Sequence, residues 1–304
     1  MVHACGVRSA GGPVEGLDLP EPAWPGPGEV LLTVEAAGVG PWDALLHTGG
    51  WDVGLRPPAA LGVEGAGRVT AVGEDVATVA VGDGVLVHEA PLPGGSGFWA
   101  EQVLVTVAHV AARPAGLDVE AAGGLPVAGL TALQALNELE LGPDSRLLIT
   151  GGSGSTGAVA VQLAAQAGAE VIATAAPRHA DRLRQLGATD VIDSHTPNWV
   201  QNVDGGFDAV LAAAKGTASA AITLLRDGGR LCSITSDAPA GERGIRTANL
   251  YVRSDAGQLA HLASLAAVGR IELDRLVAPL DDGPSIAARV AAGQAGGKKY
   301  VLTP

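Results

Sequence analysis

Residues 147–164 constrain the fold of this chain more than any other stretch. Four strand-forming residues, Leu147-Leu148-Ile149-Thr150, run into Gly152-Ser153-Gly154-Ser155-Thr156-Gly157, and a segment bearing Val159, Val161, Leu163 and Ala164 follows. The turn fits G-x-G-x-x-G, a pattern of little weight by itself in a chain with 44 glycines. Its place between a strand and an amphipathic helix gives it meaning. Gly152 is expected to permit the tight turn, Gly154 to let the backbone approach a pyrophosphate, and Gly157 to let helix and strand pack closely. Free N–H groups at a helix start, together with the positive end of the helix dipole, suit phosphates. Neither Ser153 nor Ser155 has a neighbouring base, which argues against a serine nucleophile.

The rhythm on the two sides of residue 115 differs. Before it, short β-branched runs such as 30–34, 67–72, 85–87 and 102–105 are separated by turn signals like Pro25-Gly26-Pro27-Gly28 and Gly82-Asp83-Gly84, a pattern for a small β-barrel or sandwich. After it, strand-like runs at 170–174, 191–192, 209–211 and 231–234 alternate with helical segments. One helix carries Ala180, Leu183 and Leu186 and stops at Gly187; another covers about 218–225. This predicts a doubly wound parallel sheet. The last stretch, with runs at 276–280 and 299–302 and a helix near 286–292, breaks the rhythm and is expected to rejoin the first domain. A chain of 304 residues exceeds what one core usually supports, so two domains are expected. The boundaries drawn are 1–115 with 270–304 for the barrel domain, and 116–269 for the α/β domain.

Composition narrows the partners. A net charge of −13 without a basic run disfavours nucleic acid and anionic membrane. No apolar stretch of about 20 residues suggests a membrane span or a leader. Two cysteines far apart, Cys5 and Cys232, cannot build a disulfide framework or a four-cysteine zinc site, and they fit a reducing cytoplasm.

Where enzymes that take NADH place a ribose-binding Asp or Glu, about 20 residues beyond the turn, this chain reads Thr174-Ala175-Ala176-Pro177-Arg178-His179. No carboxylate is there, and Arg178 can pair with a 2′-phosphate. NADPH is the expected cofactor.

The residues now on the page resemble the medium-chain dehydrogenase/reductase superfamily, in its zinc-free quinone oxidoreductase-like, or zeta-crystallin-like, branch. The segments that carry the resemblance are 35–43 (EAAGVGPWD), 61–69 (LGVEGAGRV), 72–83, 125–132 (LPVAGLTA), the glycine turn with Gln162-Leu163-Ala164, 186–193 (LGATDVID), 251–255 (YVRSD), and Gly297-Lys298. The resemblance implies a GroES-like β-barrel catalytic domain, an inserted Rossmann domain, a cleft between them, and a homodimer. It also implies that Thr131 lies close to the nicotinamide, that Tyr251, Val252 and Arg253 close over it, and that Lys298 contributes to cofactor binding. Two departures stand out. Many relatives carry Asn where this chain has Gly40, and Tyr where it has Trp51, whose indole donates a hydrogen bond but no proton.

Zinc-dependent relatives place Cys near position 40 and Gly-His-Glu where this chain has Gly62-Val63-Glu64. Asp43, His47, Glu64 and His88 lack motif spacing, so no metal is expected. Without a Lewis acid, an acceptor activated by conjugation suits the chemistry better than a simple ketone. The expected activity is therefore NADPH-dependent reduction of a small quinone or α,β-unsaturated carbonyl. The candidate catalytic residues are Asp43, His47, Trp51 and Tyr251, with His47 and Tyr251 able to supply a proton. The cofactor set is Thr131, Gly152, Ser153, Gly154, Ser155, Thr156, Gly157, Ala175, Arg178, Val252, Arg253 and Lys298. Two alternatives are an enoyl-thioester reductase and a dinucleotide-binding protein without catalysis.

Overall fold

The computed structural model describes all residues, Met1–Pro304, and by internal contacts they fall into two compact units. One comprises Met1–Val127 and Arg253–Pro304, the other Ala128–Val252. The sequence reading had drawn its boundaries at 115 and 270, so 116–127 and 253–269 lie with the barrel unit.

The first unit contains β1 (Val2–Val7), β2 (Glu15–Leu19), β3 (Glu29–Val39), helix α1 (Asp43–Thr48), β4 (Ala59–Ala60), β5 (Glu64–Val72), β6 (Gly84–His88), β7 (Gln102–Thr106), β8 (Val110–Ala112) and α2 (Val119–Gly124). Helix α3 (Pro126–Leu139) leads into the second unit. The long strand β3 organises the sheet. Val30, Leu32, Val34 and Ala36 alternate inward along it, the period-two pattern of a half-buried strand, and β5 and β7 flank it antiparallel. Strands β1, β2 and β4 form a separate three-stranded sheet.

The second unit is built on β9 (Arg146–Thr150), α4 (Ser155–Gln166), β10 (Glu170–Ala175), α5 (Ala180–Gln185), β11 (Asp190–Asp193), β12 (Phe207–Ala212), α6 (Ala218–Ala221), β13 (Leu225–Ser233) and β14 (Arg246–Asn249). Its strands run in the order β11-β10-β9-β12-β13-β14, every pair parallel. Strands β9, β10 and β12 are buried almost throughout, as a sheet covered on both faces requires. The order reverses between β9 and β12, and their carboxyl ends, Thr150 and Ala212, are in register. The glycine turn leaves β9 at that point, where open α/β sheets bind ligands. The helix expected over 218–225 is instead one turn of α-helix, a 3-10 turn at Ile222–Leu224, and then strand β13 from Leu225.

The chain ends with α7 (Ala256–Ala267), β15 (Arg275–Pro279), α8 (Gly283–Ala291) and β16 (Lys299–Thr303). Helix α7 buries Leu259, Leu262 and Ala263, one face at three- and four-residue spacing. Strand β16 pairs antiparallel with β3, placing Val301 opposite Gly38, so the terminal segment does return to the first sheet.

Candidate active site

The glycine turn occupies residues 151–154, and its one left-handed residue is Gly151, with φ +68°. Sequence reasoning assigned the tight turn to Gly152, one residue late. Gly152 serves close packing instead: a Cβ there would lie 2.8 Å from Ala173 Cβ on β10. A Cβ on Gly157 would run into the Gly151 carbonyl oxygen, so the helix approaches the turn as closely as the pattern implied. Gly154 differs. Its Cβ position meets only the Gly151 oxygen, at 3.4 Å, so packing within the protein does not demand glycine there. The turn is fixed to the next strand, since Gly152 N–H donates to Thr174 O at 2.9 Å and Gly151 N–H to Thr174 Oγ1 at 3.1 Å.

Gly154 caps α4 without a side-chain hydrogen bond. The N–H groups of Ser155, Thr156 and Gly157 therefore have no acceptor within the helix, and Ser153 lies in the turn itself. Room beside Gly154, unsatisfied amides and the helix dipole together fit a pyrophosphate. These residues fit a dinucleotide.

Ala175 ends β10, and Arg178 follows in a 3-10 turn at Pro177–His179, exposed and with no ion-pair partner. Across from Ala175 stands Asp193 on β11, but its Oδ1 already accepts the His195 N–H at 2.8 Å. Thr131 is buried on α3. Tyr251 is 68% exposed, and Val252 is half-buried in the irregular segment that follows β14.

The remaining candidates lie in the first unit. Arg253 is exposed. Beside it, Ser254 Oγ lies 3.1 Å from His88 Nδ1. Burial holds the His88 imidazole down at about 4, with His109 acting the same way. Lys298 is exposed in a turn, while its neighbour Lys299 is buried. Trp51 is half-buried just past the end of α1.

Asp43 and His47 sit four residues apart on α1, hence on one helix face. Asp43 is buried, and its Oδ2 accepts the Gly40 N–H at 2.8 Å. Burial raises its carboxyl to about 8, helped by Glu64 and opposed by the Gly40 N–H and Lys299.

Glu64 is fully committed. One oxygen bonds Lys299 Nζ, and the other accepts the Val127 N–H at 2.8 Å at the start of α3. Burial pushes its carboxyl up, and Lys299 and the Val127 N–H pull it down. Lys299 Nζ also lies 4.5 Å from the centroid of the Trp42 ring. No three His, Cys, Asp or Glu side chains lie where they could hold a metal ion. Asp43, His47, Glu64 and His88, the only candidates the sequence offered for one, do not come together in such a group.

Sequence reasoning missed Lys299, Trp42 and Gly151. Strand alternation was the available signal for the first, because Lys299 shares a period with the buried Val301.

Comparison with known proteins agrees with this geometry. Residues 26–115 match the family described as alcohol dehydrogenase GroES-like domain, and residues 155–258 match that described as zinc-binding dehydrogenase. Over 234 residues the chain is 36% identical to a chloroplast envelope quinone oxidoreductase homolog of Arabidopsis thaliana, covering 71% of this chain and 69% of that protein. It belongs to the medium-chain dehydrogenase/reductase superfamily. Within that superfamily it is quinone oxidoreductase-like, an oxidoreductase with a nicotinamide cofactor. The structure of the quinone oxidoreductase from Coxiella burnetii superposes with a TM-score of 0.91 at 28% identity, over 100% of this chain and 99% of that one. The chain is also 36% identical, over 221 residues, to the pikromycin polyketide synthase component PikAII of Streptomyces venezuelae, 69% of this chain but 6% of that protein. No helix of this family member is long and apolar enough to cross a membrane.

Proposed function

We propose that this chain is an NADPH-dependent, zinc-independent reductase of quinones or α,β-unsaturated carbonyls. The observation that carries the reading is the state of Glu64, the last residue of the segment where zinc-dependent relatives hold Gly-His-Glu. Its carboxylate is consumed by Lys299 and the Val127 N–H, and Val63 offers no ligand. The donor set does not fit catalytic zinc, so charge developing on a substrate oxygen must be met by hydrogen-bond donors and spread by conjugation.

A bound reduced nicotinamide supplies a hydride. The protein's part is to hold the pyrophosphate on the amides of Ser155, Thr156 and Gly157, to leave room at Gly154, and to offer Arg178 to a 2′-phosphate. An exposed guanidinium just past the end of β10, a strand whose last residues carry no carboxylate, supports NADPH over NADH, with Asp193 of β11 across from Ala175 as the group that opposes it. In the first unit, Asp43 and His47 present the titratable groups of α1, and Trp51 presents an indole N–H after it. Tyr251 offers a phenol from the second unit.

The names of the relatives support a quinone or enone acceptor. The polyketide synthase likeness favours a second reading, reduction of an enoyl thioester. One screen tests both: NADPH and NADH oxidation with quinones, enones and enoyl thioesters, with and without a chelator, for wild type and Arg178→Ala. The expected result is chelator-insensitive turnover of quinones or enones with NADPH, and a selective loss of NADPH affinity in the variant. Turnover confined to thioesters supports the second reading. Chelator-sensitive turnover, or equal loss of both cofactors, opposes the first.

A further inference from the structure

Five buried side-chain polar atoms of the chain make no hydrogen bond, and three of them come from one short stretch: Trp42 Nε1, Asp43 Oδ1 and His47 Nδ1. Folded proteins leave few such groups without reason. Asp43 is only 2% exposed, so its free oxygen has no ready access to bulk solvent.

Gly40 packs against two of these residues. Its N–H is bound by Asp43 Oδ2 at 2.8 Å. A Cβ at position 40 would clash with the six-membered ring of Trp42, lying 2.1 to 2.4 Å from Cζ2, Cε2 and Cη2. Nε1 is bonded to Cε2, so the indole N–H lies beside the place a side chain at 40 would fill. By the resemblance, a side-chain amide would be expected at this position, where the chain carries Gly40. The departure is thus a replacement: the small residue at 40 admits the indole at 42, and one N–H donor stands in for another. Lys299 Nζ over the indole face, 4.5 Å from the ring centroid, draws on the ring's electron density and strengthens the N–H as a donor. Asp43, raised to about 8 by burial, keeps its proton at neutral pH and so offers a second donor through Oδ1.

We propose that Trp42 Nε1–H and Asp43 Oδ1 form the subsite that hydrogen-bonds the carbonyl oxygen of the acceptor, in the place of the side chain that Gly40 lacks. Two hydrogen-bond donors on adjacent residues, both packed against Gly40, suit an oxygen that gains negative charge as hydride reaches a conjugated carbon. The assignment rests on the reductase reading above and names the substrate group that this part of the first unit recognises: a quinone or enone oxygen.

The test uses Trp42→Phe, which keeps an aromatic ring beside Lys299 and removes the N–H together with the rest of the indole. With menadione as acceptor, kcat/KM is expected to fall about 10- to 100-fold while NADPH affinity stays within about twofold. The double variant Gly40→Asn/Trp42→Val, which returns a side-chain amide to position 40 and clears the indole from its path, is expected to regain most of what Trp42→Val loses. A second readout needs no turnover. The chain has five tryptophans, so the Trp42 indole N–H can be assigned in a proton–nitrogen correlation spectrum by Trp→Phe substitution, or by elimination if Trp42→Phe does not fold. With oxidised cofactor present, menadione is expected to shift that resonance downfield more than the other four. A wild-type enzyme that turns over, with Trp42→Phe within about twofold of it, overturns the subsite; so does an unmoved Trp42 resonance. If the wild type oxidises NADPH with no acceptor, the reductase reading fails, and the resonance alone decides the subsite.

Discussion

Lys299 and Glu64 lie 235 positions apart, both buried, and join the last strand of the chain to the first residue of β5. Removing one member of such a pair strands the other's charge, at a cost of about 3–5 kcal/mol. Lys299→Met is therefore expected to lower the urea midpoint markedly. Glu64→Gln/Lys299→Met is expected to recover most of the loss, because the Gln carbonyl still accepts the Val127 N–H and no charge remains. A wild-type midpoint for Lys299→Met contradicts this. Asp43 makes a pH-dependent contribution. Its carboxyl stands at about 8 in the fold against 3.8 in the unfolded chain, so stability is fully present below 3.8 and is lost as pH rises toward 8. The slope is about 1.4 kcal/mol per pH unit. Asp43→Asn removes the titration and keeps an oxygen for the Gly40 N–H. Its advantage over wild type in thermal unfolding is expected to grow by about 4 kcal/mol between about pH 5 and about pH 8; a flat difference contradicts the shift. None of this was legible from local sequence. Asp43 was singled out within a resembling segment, but its burial depends on strands far along the chain. Lys299 read as the first residue of a strand, and nothing local in the sequence named Glu64 as its partner.

The turn between β9 and α4 was the most legible element, because strand, glycine spacing and helix follow one another locally. What the sequence left open was which glycine serves what purpose. Gly151, outside the pattern, takes the left-handed conformation; Gly152 and Gly157 make room for Ala173 and the Gly151 carbonyl; Gly154 alone faces space. The two alanine variants are expected to separate. Gly157→Ala should destabilise the fold, by about 1–3 kcal/mol for an overpacked site. Gly154→Ala should leave thermal stability near wild type and weaken NADPH binding by tenfold or more, about 1.4 kcal/mol or above. Equal NADPH affinity in Gly154→Ala and wild type would remove the pyrophosphate from this turn. Strand β14 and helix α7 escaped the sequence reading for different reasons. Arg246–Asn249 is a half-exposed edge strand with no apolar run. Helix α7 has a clear apolar face, but the reading carried the α/β domain on to 269 and named no helix there, although the segment packs with the barrel unit.

At the scale of the whole molecule, a net charge of −13 sets an unfavourable field for an anionic cofactor. Binding must come from local donors, and the second unit concentrates them at the carboxyl ends of its strands: uncapped amides of α4 and the unpaired Arg178. The first unit commits Glu64 and Lys299 to one another and leaves Trp42 and Asp43 with unspent hydrogen-bonding atoms. Such a distribution of groups suits hydride addition to a conjugated carbon, with hydrogen bonds on the oxygen and no Lewis acid. The fate of a labelled hydrogen tests this most directly. Wild-type enzyme treated with chelator is given NADPH deuterated at the transferring position and an α,β-unsaturated ketone, and the product is examined by mass spectrometry. Deuterium on the carbon β to the carbonyl, with the ketone intact, is the expected result; deuterium on a carbinol carbon, or no transfer until zinc is restored, would contradict the account.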